Sequence, residues 1–307
     1  MFRVLVIIAA GLVAALSAPV TAQSKTQNSD AQFIQLDRHK IRYQAIGLEN
    51  RRPGAPVIVL EAGLMSSLET WRSVLPGASA LAPVIAYDRA GLGQSEWDQI
   101  PPTPEHATRR LRRLLRQIGA PPPYVLVGHS WGGVLSQYFA ASHPGEVAGL
   151  VLLDPGPTLS DDPDGHLAPF RAIGADRTAY DAYWTGFAGL FKNAPPAARM
   201  EFATMRELLG TPPGERAMPR LAGIPIVVIV AGKYLHLPIY EQLPFDSRSF
   251  FAADLRHRLK VFQEMVLASP NGTLVAATSY THALPREAPE LVNWAIARML
   301  SSARDQD

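Results

Sequence analysis

Six short, almost uninterrupted apolar runs, most of them separated by stretches of helical character, are the strongest constraint on how this 307-residue chain can fold. They are Val57-Ile58-Val59-Leu60, Val84-Ile85-Ala86-Tyr87, Tyr124 to Val127, Leu150 to Leu153, Ile226 to Val230 and Thr273 to Ala277. A strand with one wet face alternates apolar and polar residues, whereas a strand that is apolar throughout has both faces covered. Such strands alternating with helices predict an α/β fold, a mostly parallel sheet flanked by helices. Upstream, Phe33 to Leu36 and Ile41 to Ala45 read as a hairpin turning through Asp37-Arg38-His39-Lys40. At 47% hydrophobic and 18% charged residues, the chain has material for one sizeable core.

In a parallel sheet of this kind, sites gather just beyond the carboxyl ends of the strands. The residues there are chemically rich: Glu61-Ala62-Gly63-Leu64, Asp88 to Ser95, Asp154-Pro155-Gly156, and Ser279-Tyr280-Thr281-His282. After the Tyr124 run comes Gly128-His129-Ser130-Trp131-Gly132, which matches G-x-S-x-G and leads into the helical stretch Val134 to Ala140. A serine hydroxyl attacks usefully only when it is exposed, beside a base, and close to donors for a developing oxyanion. A sharp strand-to-helix turn provides that exposure, and Gly128 and Gly132 leave room for the neighbouring chain to pass. Ser130 is therefore the candidate nucleophile. The bland alternative is an ordinary glycine-rich turn.

Residues Val4 to Leu16 are almost wholly apolar, follow Arg3, and lead into Ser17-Ala18-Pro19-Val20-Thr21-Ala22. This is the layout of a secretory signal peptide, with cleavage expected after Ala22 and a secreted or periplasmic destination; an uncleaved N-terminal anchor is the competing reading. No later run approaches the roughly 20 apolar residues of a spanning helix, so no stable membrane span is expected once the leader is removed. Loss of residues 1–22 removes Arg3 and no acidic residue, taking the formal charge from +2 to +1, a balance that predicts no nucleic-acid partner. Arg109, Arg110, Arg112, Arg113 and Arg116 lie on a helix with Leu111, Leu114, Leu115 and Ile118 on its apolar stripe, and are expected to form its solvent face. The chain contains no Cys, so it has no disulfides and no thiolate metal sites.

Four segments in order carry a resemblance to the α/β-hydrolase family. They are Leu60-Glu61-Ala62-Gly63-Leu64 with Trp71, Tyr87 to Ser95, Val127 to Gly133, and His282 ahead of Pro289-Glu290-Leu291-Val292. The resemblance implies an α/β-hydrolase core over 23–154 and 221–307, with 155–220 inserted as a helical cap. It also implies a triad in which His282 accepts the Ser130 proton, and an oxyanion hole built from the backbone N–H groups of Leu64 and Trp131. His129 is expected to point away from the attack direction, and His236 is the rival base.

The acid departs from the commonest family pattern, because Ala231 to Pro238, the loop where many relatives carry it, has no carboxylate. Asp154, at the strand end after the nucleophile helix, is the substitute, as in certain haloalkane dehalogenases. Its plain reading is a turn cap before Pro155. Asp88 resembles the family's structural turn residue, and Asp246 and Asp254 are minor candidates. Haloalkane dehalogenases and epoxide hydrolases of the family use an Asp nucleophile, whereas a serine forms an acyl-enzyme.

The expected activity is hydrolysis of a small carboxylic ester or related acyl substrate, with no cofactor and no metal. An aminopeptidase, lactonase or perhydrolase on the same triad, or a non-catalytic binding protein, are the alternatives. The cap aromatics Phe170, Tyr180, Tyr183, Trp184, Phe187, Phe191 and Phe202 suggest an apolar underside, although most of them are expected to serve packing.

Overall fold

A computed structural model describes residues 6–8, 30–216, 221 and 223–304. The expected leader lies outside the described residues except for Val6–Ile8. That segment forms β1, paired parallel with Thr273–Ala277 (β9) in the register Val6 to Leu274.

One sheet runs through the described chain in the order β1-β9-β8-β7-β6-β4-β5-β3-β2. Its strands are Gln32–Leu36 (β2), His39–Ile46 (β3), Val57–Glu61 (β4), Val84–Tyr87 (β5), Tyr124–His129 (β6), Val147–Leu153 (β7) and Ile226–Ala231 (β8), with β1 and β9 at one edge. Pairing is parallel everywhere except β2 with β3 and β3 with β5. The six apolar runs are the six strands β4 to β9. The hairpin is tighter than its sequence suggests: Asp37 and Arg38 alone make the turn, both at positive φ (51° and 70°), while His39 and Lys40 already pair in β3. Two left-handed residues match the right-handed twist of the strands they join.

Alternate residues of each strand enter opposite cores. Ile58, Leu60, Val125, Val127, Val151 and Leu153 meet Val292, Ile296 and Met299 of helix α9 (Pro289–Arg304), together with Leu75 and Ala78 of α1 (Leu75–Leu81). Val57, Val59, Leu126, Leu150, Leu152 and Val228 meet α2 (Pro104–Gln117), α3 (Trp131–Ser142) and α7 (Ser247–Leu267) through residues such as Leu114, Phe139 and Phe262. Each such side chain contributes about 1.5–3 kcal/mol by leaving water. The sheet is therefore a rigid platform for the loops at its carboxyl edge.

The basic helix differs from its expected form. On α2, Arg110 is buried with Nη1 3.1 Å from Asp98 Oδ2, and Arg112 Nε donates to Glu146 Oε2 at 3.0 Å. Arg113 pairs with Asp37. The apolar stripe is too narrow to cover this helix, and acidic residues from three loops take up part of its charge. Between β7 and β8 lie α4 (Ala168–Arg171), α5 (Arg177–Leu190) and α6 (Pro196–Gly210). The remaining short helix, α8 (Leu284–Glu287), follows β9. Among the described residues, no helix is long and apolar enough to cross a membrane.

Candidate active site

Ser130 stands between β6 and α3 at φ 53°, ψ −123°, a conformation that a non-glycine residue keeps only when its surroundings enforce it. Three backbone hydrogen bonds do so. The Ser130 N–H donates to Leu153 O at 3.0 Å, and its carbonyl accepts from Gly133 N at 2.9 Å and Gly156 N at 3.2 Å. The flanking glycines are sterically required. A Cβ on Gly132 would lie 2.2 Å from Glu61 O, and one on Gly128 would lie 2.4 Å from Gly132 O. Both obstacles are backbone, so neither moves cheaply.

At the end of β7, Asp154 is buried and its carboxylate has three partners. His282 Nδ1–H donates to Oδ2 at 2.6 Å, the Ala231 N–H donates to Oδ1 at 2.9 Å, and the Arg258 guanidinium of α7 donates to Oδ1. Burial alone would push this carboxyl up; the His282 hydrogen bond, the Arg258 charge and the Ala231 N–H outweigh it and hold the group below its ordinary value. With its Nδ1 proton on Asp154, His282 keeps an Nε2 lone pair for another proton. The His282 side chain is 52% exposed against 7% for Asp154, so the imidazole is open to solvent while the carboxylate behind it is nearly enclosed.

The His282 loop is held from several sides. Thr281 gives its N–H and hydroxyl to Glu287, each at 2.8 Å, and Lys233 N–H donates to Tyr280 O at 3.0 Å. His129 takes part as well. Instead of merely turning away, its Nε2–H donates to His282 O at 2.7 Å, its ring lies 4.8 Å from the His282 ring, and it borders the cavity. Burial, with a smaller contribution from neighbouring His282, pulls the His129 pKa from 6.5 down to about 3.

The unfolded chain protonates this ring below pH 6.5 and the folded one only near pH 3, so its contribution to stability shrinks as pH falls through that window. His129→Asn is expected to flatten the dependence of unfolding free energy on pH by about 1.4 kcal/mol per unit near pH 5. Denaturant melts of both proteins between about pH 6 and 5 measure it, and equal slopes would contradict it.

Ser130, Asp154, His282 and Leu64 all border one cavity of about 540 Å³. Trp131 begins α3, so its N–H is among the first four of the helix, which have no partner within it; its side chain is buried away from solvent. Of the aromatics in the β7–β8 insertion, Phe170, Tyr180, Tyr183, Trp184, Phe187 and Phe191 all border the cavity, and Phe202 does not. They pack as well: Phe170 and Tyr180 are buried in one cluster with Phe250, Tyr183 and Trp184 lie against it, and ring-to-ring contacts such as Tyr183 with Trp184 (5.2 Å) tie them together.

Several other candidates go elsewhere. His236 is exposed beside Tyr234 and Glu241, Asp246 caps α7 by accepting from Ser249 N at 2.7 Å, and buried Asp88 accepts from Leu68 N and Gln94 N. Asp254 borders the cavity but bonds Arg258 Nε at 2.7 Å. Arg258 itself escaped the sequence reading. Its only local signal is the Asp254 to Arg258 spacing of four on one helix face, which also occurs on ordinary solvated helices. Among the described residues, no three His, Cys, Asp or Glu side chains converge as a metal would require.

Comparison with known proteins agrees with this architecture. A family model for the alpha/beta hydrolase fold matches residues 56–298. Curated relatives include the uncharacterized protein YqjL of Bacillus subtilis, 36% identical over 32% of this chain and 39% of that protein. Epoxide hydrolase A of Mycobacterium tuberculosis is 32% identical over 59% of this chain and 56% of its own. The chain thus spans well under two thirds of the curated relatives it matches. Among solved structures, Cfl2 of Burkholderia cenocepacia superimposes with a TM-score of 0.57 at 18% identity, covering 90% of this chain and 100% of that one, a likeness of fold alone. The match over 56–298, on a sheet and elbow of this form, makes the chain a member of the α/β hydrolase family.

Proposed function

We propose that the protein is a serine hydrolase that cleaves a carboxylic ester through an acyl-enzyme on Ser130. The observation that carries the proposal is the convergence on one cavity of a positive-φ serine and a histidine whose Nδ1 lies 2.6 Å from an oxygen of a buried carboxylate. Ser130 Oγ attacks the ester carbonyl and its proton passes to His282 Nε2. The carbonyl oxygen becomes an oxyanion facing the Leu64 and Trp131 N–H groups. Collapse expels the alcohol, which takes the proton from His282. Water, deprotonated by the same imidazole, then attacks the acyl carbon and releases the acid. Asp154 stays anionic and stabilises the imidazolium.

Other relatives are a haloalkane dehalogenase from Bradyrhizobium diazoefficiens and a soluble epoxide hydrolase from Corynebacterium. Ser130 argues against that chemistry here. A carboxylate displacing a leaving group at carbon forms an ester, which water reopens at the carbonyl; a serine would form an ether, which offers water no carbonyl. The aromatic wall of Phe170, Tyr183, Trp184, Phe187 and Phe191 favours an apolar acyl or aryl group.

A panel of esters, lactones and aminoacyl amides of graded acyl size, run with wild type and Ser130→Ala, tests the proposal. Ester turnover in wild type alone supports it; turnover of amides alone, or of nothing, contradicts it. Export with removal of residues 1–22 belongs to the same proposal, and N-terminal sequencing of exported protein is expected to begin at Gln23.

A further inference from the structure

Away from the triad, Arg89 follows β5 and is buried among acceptors that use all five of its N–H donors. Nη1 donates to Glu61 Oε1 at 2.7 Å and Ala62 O at 2.6 Å; Nη2 donates to Gly63 O at 2.6 Å and Glu201 Oε2 at 3.0 Å; Nε donates to Glu201 Oε1 at 2.7 Å. Two of those acceptors are carbonyls of the turn that presents Leu64. Glu201 comes from α6, far along the chain, and its Oε2 also accepts the Met65 N–H at 2.7 Å. Met65 sits at φ 55°, a conformation that an unbranched side chain holds only where neighbours impose it.

The same helix reaches the other side of the oxyanion hole. Met205 and Leu208 of α6 form one buried cluster with the Trp131 side chain, against which Leu64 also packs. A single helix therefore grips both residues whose N–H groups receive the oxyanion in the reading above. It grips one through a buried carboxylate and guanidinium and the other through apolar contact. Because α6 also lines the cavity through Met205 and Leu209, the element that encloses substrate is the element that spaces the donors.

We propose that Glu201 is a positioning residue and that seating of α6 sets the separation of the Leu64 and Trp131 N–H groups, so that the oxyanion hole is complete only when this helix is docked. The proposal rests on the ester-hydrolase reading and adds to it a dependence of catalytic competence on the insertion. A carboxylate that merely tied the insertion to the sheet would affect stability and substrate affinity alike, without changing sensitivity to the carbonyl atom.

The discriminating experiment compares an ester with its thionoester, whose sulfur gains much less from N–H donors, in wild type, Glu201→Gln and Leu208→Ala, with melting temperatures recorded in parallel. Glu201→Gln is expected to lower kcat on the oxygen ester about 10- to 100-fold with KM within about twofold, and to lower kcat on the thionoester less, so that the oxygen-to-sulfur ratio falls. Leu208→Ala, which leaves the polar network intact and loosens the apolar cluster that holds the Trp131 side chain, is expected to lower the ratio in the same direction. A folded Glu201→Gln protein with the wild-type ratio overturns the proposal; where that variant does not fold, a wild-type ratio in Leu208→Ala does so. If wild type cleaves neither ester and Ser130 takes up no fluorophosphonate, the ester-hydrolase reading itself has failed. Unchanged ratios in a protein whose Ser130 is labelled defeat the α6 proposal alone.

Discussion

Replacement of Ser130 by alanine is expected to reduce kcat for ester hydrolysis on the order of 10⁵- to 10⁶-fold while leaving KM and the melting temperature close to wild type. The size follows from the loss of the covalent route, since the oxyanion donors and cavity that remain accelerate only direct attack by water. Unchanged affinity follows from the aromatic wall, which the substitution does not touch. Stability is spared for a local reason. Although Ser130 occupies the N-cap of α3, its side chain makes no capping hydrogen bond, and the strained backbone is held by main-chain groups that alanine retains. His282→Ala is expected to cost about as much, and the double variant no more than either alone, because the two act as one unit. Steady-state kinetics on a chromogenic ester read all three, and a Ser130→Ala protein within about tenfold of wild type would be incompatible with the mechanism.

The second large effect is at Asp154. Asparagine keeps the shape but offers an amide N–H to His282 Nδ1. This favours the tautomer that carries its proton on Nε2, where it cannot accept another from serine. A loss of about 10⁴-fold in kcat is expected.

The substitution also carries a structural cost. Asp154 also neutralises buried Arg258, and removing one partner of a buried pair costs about 3–5 kcal/mol. Asp254 remains bonded to Arg258 and the new amide oxygen still accepts, so about 3 kcal/mol, a fall of several degrees in Tm, is the expected result. Asp254→Asn leaves the His282 pair in place and is expected to keep kcat within a few-fold of wild type. Near-normal turnover in Asp154→Asn together with collapse in Asp254→Asn would reassign the acid.

Features written into local pattern are readable in the sequence itself. Each of the six apolar runs corresponds to a parallel strand, because burial on both faces demands apolar residues at every position. The elbow was legible because close backbone approach admits only glycine at 128 and 132. Asp154 was reachable through the family resemblance: the loop after β8 holds no carboxylate, certain haloalkane dehalogenases carry their acid at the preceding strand end, and β7 does pair with β8.

The less legible parts depend on long-range pairing. Nothing near Glu201 in sequence signals that it meets Arg89, 112 residues away, or that Arg258 meets Asp154 across 104. Glu61 did carry a clue, since a carboxylate closing a wholly apolar strand needs a buried partner; the parallel pairing of β4 with β5 brings Tyr87 and Arg89 to it. The partner of His129 was not readable, because elbow geometry fixes the serine but leaves its neighbour's ring to be placed by the His282 loop.

The most direct measurement of the central claim is a rapid-quench experiment with a nitrophenyl ester, followed by mass analysis of the peptide containing Ser130. A pre-steady-state burst of nitrophenol stoichiometric with enzyme, and an acyl mass increment on Ser130 that is absent from Ser130→Ala, is the predicted outcome. Turnover with no burst and no acylated peptide under quench, or an increment carried by a different residue, would contradict the covalent serine mechanism.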